Sequence, residues 1–239
     1  KRSYLRLNGN MYQEIHPIKG LVIRASQAVE GYDYTNSSKV LSDPNKLLTP
    51  SATEYFSRYY RATSTNTAEY KFSLLDNNHF TALIGQESIL SNSKDFSASS
   101  KGHSDNRMMN VDQGTTFNKP TYAYSQVTYN SLFARLSYDY ADKYFIDGTI
   151  RRDGSSLFGA NNRYANFWSV GAMWSAKKEN FFKDINWLNN LQLRVSYGTT
   201  GNSAIDNYLS YGLVGTGTIY NGNASWGLSS VDNKDLTWE

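Results

Sequence analysis

Cysteine is absent from this chain of 239 residues, and proline occurs only 4 times. Without thiols, the chain can form neither a disulfide-stapled scaffold nor a thiolate metal site or cysteine nucleophile. Long apolar runs are absent too, since no segment approaches the roughly 20 residues that a membrane-spanning helix requires. Together with a mean hydropathy of −0.58, these absences exclude a bundle of membrane helices.

The chain also lacks an excess of charge of either sign. Its 24 basic and 21 acidic residues leave a net charge of +3, which is too balanced to indicate a nucleic-acid partner. No basic segment followed by an apolar one stands at Lys1, so we expect either a mature product or a piece of a longer chain. Aromatic residues, in contrast, make up 15% of the chain and include 19 tyrosines, which favours strands.

Apolar and polar residues alternate with a period of two in eight segments, the spacing that places successive side chains on opposite faces of a strand. The segments are 5–15, 21–30, 67–74, 80–84, 131–140, 144–151, 168–175 and 191–197. We therefore expect an all-β chain with eight antiparallel strands in four hairpins. Because opposed residues share a face, Tyr140 and Tyr144 can meet on the apolar face only across a turn with an odd number of residues.

Three features favour a transmembrane β-barrel over a soluble β-sandwich, which alternates in the same way. Charged residues stand in mid-strand on the polar faces, and the apolar faces end in Tyr and Trp, as expected at membrane interfaces. Connections also alternate between short periplasmic turns and long extracellular loops. The short turns lie near 17–20, 76–79 and 141–143, and the long loops near 36–58, 89–120, 153–165 and 199–235.

Two segments depart from this regular pattern. The connection 176–190 is long for a periplasmic turn, and it fits either a helical turn at the membrane interface or a loop that caps the barrel end. Residues 236–239 look like the start of a ninth strand. Eight strands could close a small barrel, but an unpaired strand edge in hydrocarbon is not viable. We therefore expect residues 1–239 to form part of a single, larger transmembrane barrel domain.

Seven short runs between residue 80 and the end of the chain stand out as motifs. They are Phe80–Glu87 (FTALIGQE), Asp142–Gly148 (DKYFIDG), Arg151–Ser156 (RRDGSS) with Phe158-Gly159, Asn162–Tyr164 (NRY) leading to Phe167–Val170 (FWSV), Trp187–Leu191 (WLNNL), Arg194–Asn202 (RVSYGTTGN) and Asp235–Glu239 (DLTWE). In this order they resemble the SusC/RagA family of TonB-linked outer-membrane proteins. The chain departs from the family at Leu157, where members often carry a basic residue, and in 89–120, which matches no motif.

The resemblance implies a section of a barrel of about 22 strands that is occluded by a plug. It further implies a TonB-dependent importer in the bacterial cell outer membrane, surrounded by outer-membrane lipid. The family resemblance also implies a SusD-like surface lipoprotein as partner, coupling to TonB through the plug region, and a large nutrient, either a glycan or a peptide, as substrate. Neither the plug domain nor a TonB-interacting segment is present in this sequence.

Two sets of residues are candidates for contact with a transported nutrient. Aromatic loop residues can stack on sugar rings or hold a lid, or they can pack the loops on each other; they are Tyr122, Tyr124, Tyr208, Tyr211, Tyr220 and Trp226. Charged residues of the polar faces would form the lumen-facing wall and contact nutrient or plug, or they pair with one another across strands. They are Glu69, Lys71, Arg135, Asp147 and Arg151.

Residue patterns for metal, cofactor or catalytic chemistry are missing. The three histidines are scattered, without the close spacing of metal ligands. Gly212, Gly215 and Gly217 lack the third glycine of a dinucleotide site, and Asp153–Ser156 lacks the alternating acidic ligands of a calcium loop. We therefore expect no metal, no cofactor and no enzymatic activity.

Two functions of other classes stay open on the sequence. A soluble carbohydrate-binding or adhesive β-domain could use the same aromatic residues, and a passive porin would share the barrel without a plug. Solubility separates the first from the barrel, because an outer-membrane barrel requires detergent and shows heat-modifiable migration on a gel. A plug and a TonB-interacting segment upstream of Lys1 would separate the importer from the porin.

Overall fold

The computed structural model describes residues 1–43, 45, 46, 48–182 and 185–239, without the side chains of residues 217, 218 and 224. The strands are β1 (Arg2–Ile15), β2 (Leu21–Val40), β3 (Ser51–Leu74), β4 (Asn78–Lys101), β5 (Thr116–Phe117), β6 (Thr121–Tyr140), β7 (Tyr144–Ser155), β8 (Tyr164–Ser175), β9 (Gln192–Gly198), β10 (Leu213–Tyr220) and β11 (Asn223–Ser230). Within these residues, the structure contains no helix with the length and apolar character needed to cross a membrane.

Eight long strands form one sheet in the order β1-β2-β3-β4-β6-β7-β8-β9. Each long strand therefore pairs with the next long strand along the chain, as in an antiparallel meander, and short turns such as 75–77 alternate with longer connections such as 156–163. The two-residue strand β5 pairs with β4, and β10 and β11 form a separate hairpin. The eight antiparallel strands expected from the alternation are thus observed.

The chain divides into two compact units. The first unit comprises residues 1–10, 28–63 and 90–127, and the second comprises residues 11–27, 64–89 and 128–239. Strands β1, β2, β3, β4 and β6 contribute residues to both.

The turn between β6 and β7 has three residues, Ala141 to Lys143, and it pairs Tyr140 with Tyr144. Ala141 and Asp142 both have positive φ, at 56° and 55°, which the short side chain of an aspartate tolerates better than most. The backbone N–H of Asp142 donates a 2.8 Å hydrogen bond to Asp139 Oδ1. The expectation of an odd-numbered turn is confirmed.

One face of the second unit is apolar and exposed. The register places Ala134, Ile150 and Trp168 in one row across β6, β7 and β8, and Ile150 is 64% exposed. The next row contains Val170 and Tyr197. Aromatic rings pack against each other on this face, with centroid distances of 5.0 Å for Phe72–Phe80, 4.8 Å for Phe80–Tyr138 and 5.8 Å for Trp168–Tyr197.

Several strands extend into segments that the sequence analysis predicted as loops. Residues 36–40 and 51–58 belong to β2 and β3, and β4 continues to Lys101. In these extensions both faces carry polar side chains, so the alternation that predicts a strand disappears although the backbone ladder continues. Contacts between neighbours support the ladder: Arg58 donates to Asp33 at 2.6 and 2.9 Å, and the Tyr34 and Tyr55 rings lie 5.9 Å apart.

The other predicted loops are also shorter than expected. The connection between β7 and β8 covers 156–163 rather than 153–165, and the segment 199–235 contains the hairpin β10–β11. Residues 44 and 47, within the predicted loop 36–58, lie outside the described residues.

Few side chains are buried among the residues that the structure describes. In the first unit Ala52, Ser100, His103 and Met109 are buried, with His103 Nε2 3.0 Å from the Asn110 carbonyl oxygen. The described long strands thus form a sheet with few buried side chains rather than two sheets packed face to face around a core.

The predicted start of a ninth strand is not a strand in this structure. Instead, Trp238 stacks on Phe158, which is 1% exposed, with ring centroids 4.4 Å apart. Trp238 also meets Phe167 edge-on at 5.7 Å, and its Nε1 donates to the Arg163 carbonyl oxygen at 3.3 Å. The neighbouring Leu157 is 5% exposed, which suits an apolar residue at this position. The tryptophan ring thus packs residues 235–239 against the connection between β7 and β8 and the start of β8.

Two short 3₁₀ turns, Ala176–Lys178 and Asn180–Phe182, occupy the connection between β8 and β9. Lys177 Nζ donates to the carbonyl oxygens of Phe182 at 2.8 Å and Ile185 at 2.7 Å, which closes these turns. The connection 176–190 thus contains helical turns in 3₁₀ form, and its place at the membrane interface or as a cap of the barrel end stays a prediction. Residues 183 and 184 lie outside the described residues.

Glu179, between the two turns, ties this connection to the strand ends. Its carboxylate accepts hydrogen bonds from the Tyr144 hydroxyl at 2.6 Å, from Lys143 Nζ at 3.0 Å and from Trp174 Nε1 at 3.3 Å. These donors favour the ionised form, so they lower the pKa of Glu179, the tyrosine contributing most.

Substituting Val170 by Lys tests the lipid contact that the sequence analysis predicts for the apolar face. Val170 lies opposite Gly148 and Tyr197 in the middle of that face, where a lysine in hydrocarbon costs about 2–4 kcal/mol. We expect Val170→Lys to lower the fraction of full-length protein that shows heat-modifiable migration. Ser169→Lys, the adjacent residue on the polar face, is the control, and equal losses in both variants would contradict a lipid-covered apolar face.

Glu179→Gln is expected to lower the melting temperature of the full-length protein at about pH 7, because the three donors lose a charged acceptor. A carboxylate whose folded-state pKa is lowered stabilises the fold above its ordinary pKa of 4.5 and loses that contribution as the pH falls through the lowered value. Wild type and variant should therefore converge in strongly acidic buffer. Asp142→Asn, which removes only an exposed 3.9 Å contact with Lys178, should have no effect at either pH.

Candidate functional site: the polar face of the sheet

Arg151, on the polar face of the second unit, is the centre of a charged network. Its Nη2 lies 3.0 Å from Glu87 Oε1 and 2.9 Å from Ser131 Oγ, and its Nε lies 2.6 Å from Asp153 Oδ1. The guanidinium carbon is also 5.4 Å from the centroid of the Phe133 ring. Because these residues belong to β4, β6 and β7, the network joins three neighbouring strands. The alternation predicted Arg151 as a wall residue but not its partner Glu87.

A hollow of 620 Å³ in the second unit contains further charged groups. Arg135, Asp139, Asp147 and Arg194 are among its lining residues. Gly171 keeps it open next to Asp147, since a Cβ at this glycine would lie 2.9 Å from the Asp147 Oδ1 atom. With Asp142, which also lines the hollow, two arginines and three aspartates surround one concavity.

The remaining wall candidates, Glu69 and Lys71, pair with each other along β3. Lys71 Nζ lies 2.8 Å from Glu69 Oε1, and the lysine side chain is 63% exposed. An exposed pair of this kind contributes little stability, so both side chains are available to other partners. All wall candidates therefore lie on the polar face, distributed over the Arg151 network, the hollow and this pair.

A ladder of stacked tyrosines lies on the polar face of the first unit, and the sequence analysis missed it. The rings of Tyr4 and Tyr32 stack at 5.6 Å, and those of Tyr32 and Tyr59 stack at 5.5 Å. Tyr34 packs against Tyr4 at 6.4 Å and against Tyr55 at 5.9 Å. The signal that could have found the ladder is the i, i+2 spacing of Tyr32 with Tyr34, which places both rings on one face.

The tyrosine ladder adjoins a second concavity, a hollow of 430 Å³. Its lining includes Arg6 and Asn8 of β1, Glu30 of β2, and Arg61 and Thr63 of β3. The first unit thus combines aromatic and charged groups on one surface.

The predicted loop aromatics lie in three separate places. Tyr122 and Tyr124 open β6, 62% and 50% exposed. Ser125, the residue after Tyr124, bonds Ser93 at 2.9 Å, and Lys94 Nζ lies 5.5 Å from the centroid of the Tyr122 ring. Because the face of Ser93 is that of the tyrosine ladder, Tyr122 and Tyr124 lie on the opposite face.

The other four predicted aromatics lie in the segment from β9 onward. Tyr208 and Tyr211 meet edge-on, with ring centroids 6.1 Å apart. Tyr220 and Trp226 belong to the β10–β11 hairpin and are 79% and 72% exposed. Of the six predicted loop aromatics, Tyr208 and Tyr211 are therefore the two whose rings contact each other in the described part of the chain.

The histidines have local hydrogen-bond partners. His79 Nδ1 lies 2.8 Å from Ser73 Oγ across the β3–β4 turn, and His16 Nε2 lies 2.9 Å from Glu14 Oε1. Across the described parts of the chain, no group of three or more potential ligands that could hold a metal ion is found.

Comparison with known families gives one match that covers almost the whole chain. The model of the TonB dependent receptor-like, beta-barrel family matches residues 5–239. Among curated relatives, TonB-dependent receptor P26 of Formosa agariphila is 36% identical over 182 residues, which is 73% of this chain and 18% of the relative. TonB-dependent receptor SusC of Bacteroides thetaiotaomicron is 42% identical over 81 residues, which is 34% of this chain and 8% of the relative.

Solved structures give the same result. A structure of the RagAB peptide transporter superposes with a TM-score of 0.92 at 36% identity, covering 99% of this chain and 27% of that chain. The RagAB peptide importer in its open-open state gives a TM-score of 0.90 at 36% identity, covering 100% and 27%. This chain therefore spans less than a third of the relatives and structures it matches, and the observed sheet is a section of a larger barrel. The matches confirm the family resemblance of the seven motifs, and the proteins matched are receptors and transporters rather than enzymes.

Arg151→Gln should destabilise the full-length protein by about 1–3 kcal/mol, since Glu87 and Asp153 lose their charged donor. Arg152→Gln is the matched control, because Arg152 is the next residue on the opposite face and stacks over Tyr164 at 5.0 Å. The double variant Arg151→Gln, Glu87→Gln should lose less than the sum of the single changes. Resistance of the folded band to guanidinium on a gel measures each effect, and additive losses would show that the two side chains do not interact.

Proposed function

Because this chain belongs to the family of TonB-dependent receptor-like β-barrels, we propose that it forms part of an energised importer in the bacterial outer membrane. The transported molecule would be a large nutrient, an oligosaccharide or a peptide. The observation that carries this proposal is the family match over residues 5–239, together with a sheet whose two faces differ in the way a membrane barrel requires.

The two faces support an orientation for the strands. The apolar face, with Ile150 and Val170 exposed and aromatic rings in contact, would lie against outer-membrane lipid. The polar face, with the Arg151 network and both hollows, would line the lumen through which the nutrient passes. The short turns at 75–77 and 141–143 would then face the periplasm, together with the connection between β8 and β9, whose Glu179 bonds Lys143 of the second turn. The longer connections at the opposite strand ends would face outward.

Partners follow from the relatives rather than from contacts in this chain. SusC and the RagAB peptide transporter support a SusD-like surface lipoprotein over the extracellular mouth and TonB as the source of energy through a plug region. RagAB is a peptide transporter, so a peptide is one of two candidate substrates here, beside a glycan.

The exposed aromatics of the outward connections are proposed contacts for the nutrient or for the lipoprotein. Tyr208 and Tyr211 form one edge-on pair, and Tyr220 and Trp226 present large rigid surfaces, which suit stacking on sugars or on a protein partner. Tyr122 and Tyr124, on the face away from the tyrosine ladder, are better placed for the partner than for the nutrient.

Deleting the gene in its Bacteroidota host should abolish uptake of one nutrient class, measured with labelled oligosaccharides and labelled peptides in parallel. Uptake should return with the wild-type gene and should stop when a protonophore dissipates the proton gradient or when TonB is removed. Affinity purification from detergent should recover a surface lipoprotein. Uptake that continues without energy would instead identify a passive porin, and recovery of the wild-type protein in aqueous buffer without detergent would identify a soluble domain.

A further inference from the structure

The hollow between β1, β2 and β3 in the first unit carries more positive than negative charge. Arg6 and Arg61 line it together with a single carboxylate, Glu30. Arg6 Nη2 lies 3.9 Å from Glu30 Oε2, and the two side chains are 57% and 42% exposed. This is a long, solvent-exposed contact that leaves the guanidinium free to bind another anion.

Arg61 has no anionic partner within the part of the chain that the structure describes. Its Nε atom is buried, yet no hydrogen-bond acceptor is found for it there. Buried donors in folded proteins are almost always paired, since an unpaired one loses its water without compensation. Arg61 also lines the hollow, so a group with acceptor oxygens that enters it would supply the anion that the described residues do not.

The tyrosine ladder lies beside the two arginines, on the same face of the strands. Tyr4 stands two residues before Arg6, and Tyr59 stands two residues before Arg61, so each ring shares a face with its arginine. Tyr32 stacks on both rings, at 5.6 and 5.5 Å. A ligand that places an anionic group on the arginines would therefore lay its adjoining part on flat tyrosine surfaces.

We infer that this hollow is a binding subsite for carboxylate groups of the transported oligomer. Arg61 binds the carboxylate, Arg6 adds positive charge, and the ladder of Tyr4, Tyr32 and Tyr59 supports the adjacent sugar ring or side chain. The inference rests on the proposed function and adds to it a preference for acidic cargo. The carboxylate can come from an acidic peptide or from a uronic-acid oligosaccharide, and the arms of the test separate these two sources.

The test uses the full-length protein in detergent and measures fluorescence anisotropy with two labelled probes, an oligo-glutamate and an oligogalacturonate. At least one of them should bind, and it should bind at least about tenfold more tightly than its neutral analogue, oligo-glutamine or a neutral galactan. Binding should weaken as salt is raised, because the attraction between the arginines and the carboxylates is screened.

Neighbouring residues on β3 supply matched variants. Arg61→Gln should weaken the bound probe by at least about tenfold, whereas Arg58→Gln should not, because Arg58 pairs with Asp33 on the other face. Tyr59→Leu should weaken binding too, while Tyr60→Leu should leave it unchanged, since the Tyr60 hydroxyl accepts a bond from Asn92 away from the ladder. Heat-modifiable migration confirms that each variant folds.

Two results would overturn the inference: binding of neither acidic probe to wild type, or equal binding to wild type and Arg61→Gln. Failure of the subsite is distinguishable from failure of the proposed function. If the Arg61→Gln strain still takes up its nutrient in a TonB-dependent way while acidic probes bind unchanged, only the subsite is wrong. If uptake in wild type needs no TonB, the importer itself is wrong.

Discussion

The antiparallel register between neighbouring strands is the constraint on which the rest of this structure depends. Because side chains alternate with a period of two, a slip by one residue would exchange the two faces of a strand. The observed register keeps Ala134, Ile150 and Trp168 in one row, and Phe133, Arg151 and Phe167 in the next. The exposure of the apolar residues and the position of Arg151 on the polar face follow from these rows.

Much of the fold follows from the sequence where one face is apolar and the other polar, as from Leu132 to Ile150. The three-residue turn after Tyr140 could even be predicted from parity. Strands whose two faces are both polar, as in residues 36–40 and 51–58, could not be predicted, because only backbone pairing with a neighbour then marks the strand. Residues 236–239 were predicted as a strand and instead carry Trp238, which packs on Phe158.

The candidate site was predictable residue by residue but not as an assembly. A charged residue such as Arg151 can be assigned to the polar face from spacing alone. Its partner Glu87 lies in β4, on the far side of β6, and no residue pattern within a single strand predicts such a contact. The tyrosine ladder was overlooked for the same reason, since Tyr4, Tyr32 and Tyr59 come from three strands. The family, in contrast, was identified correctly from the order of its motifs along the chain. Two of these motifs meet in space, since Trp238 packs on Phe158, and a Cβ at Gly159 would lie 2.1 Å from the carbonyl oxygen of Lys234, the residue before the last motif.

The separation of the two faces has a consequence for how such a protein changes during evolution. On β3, the consecutive residues 58–61 alternate between the two surfaces. Arg58 and Tyr60 belong to one surface, and Tyr59 and Arg61 belong to the other. Substitutions at every second residue can therefore accumulate while the intervening residues keep the surroundings they already had. The two faces of one strand can thus diverge at different rates.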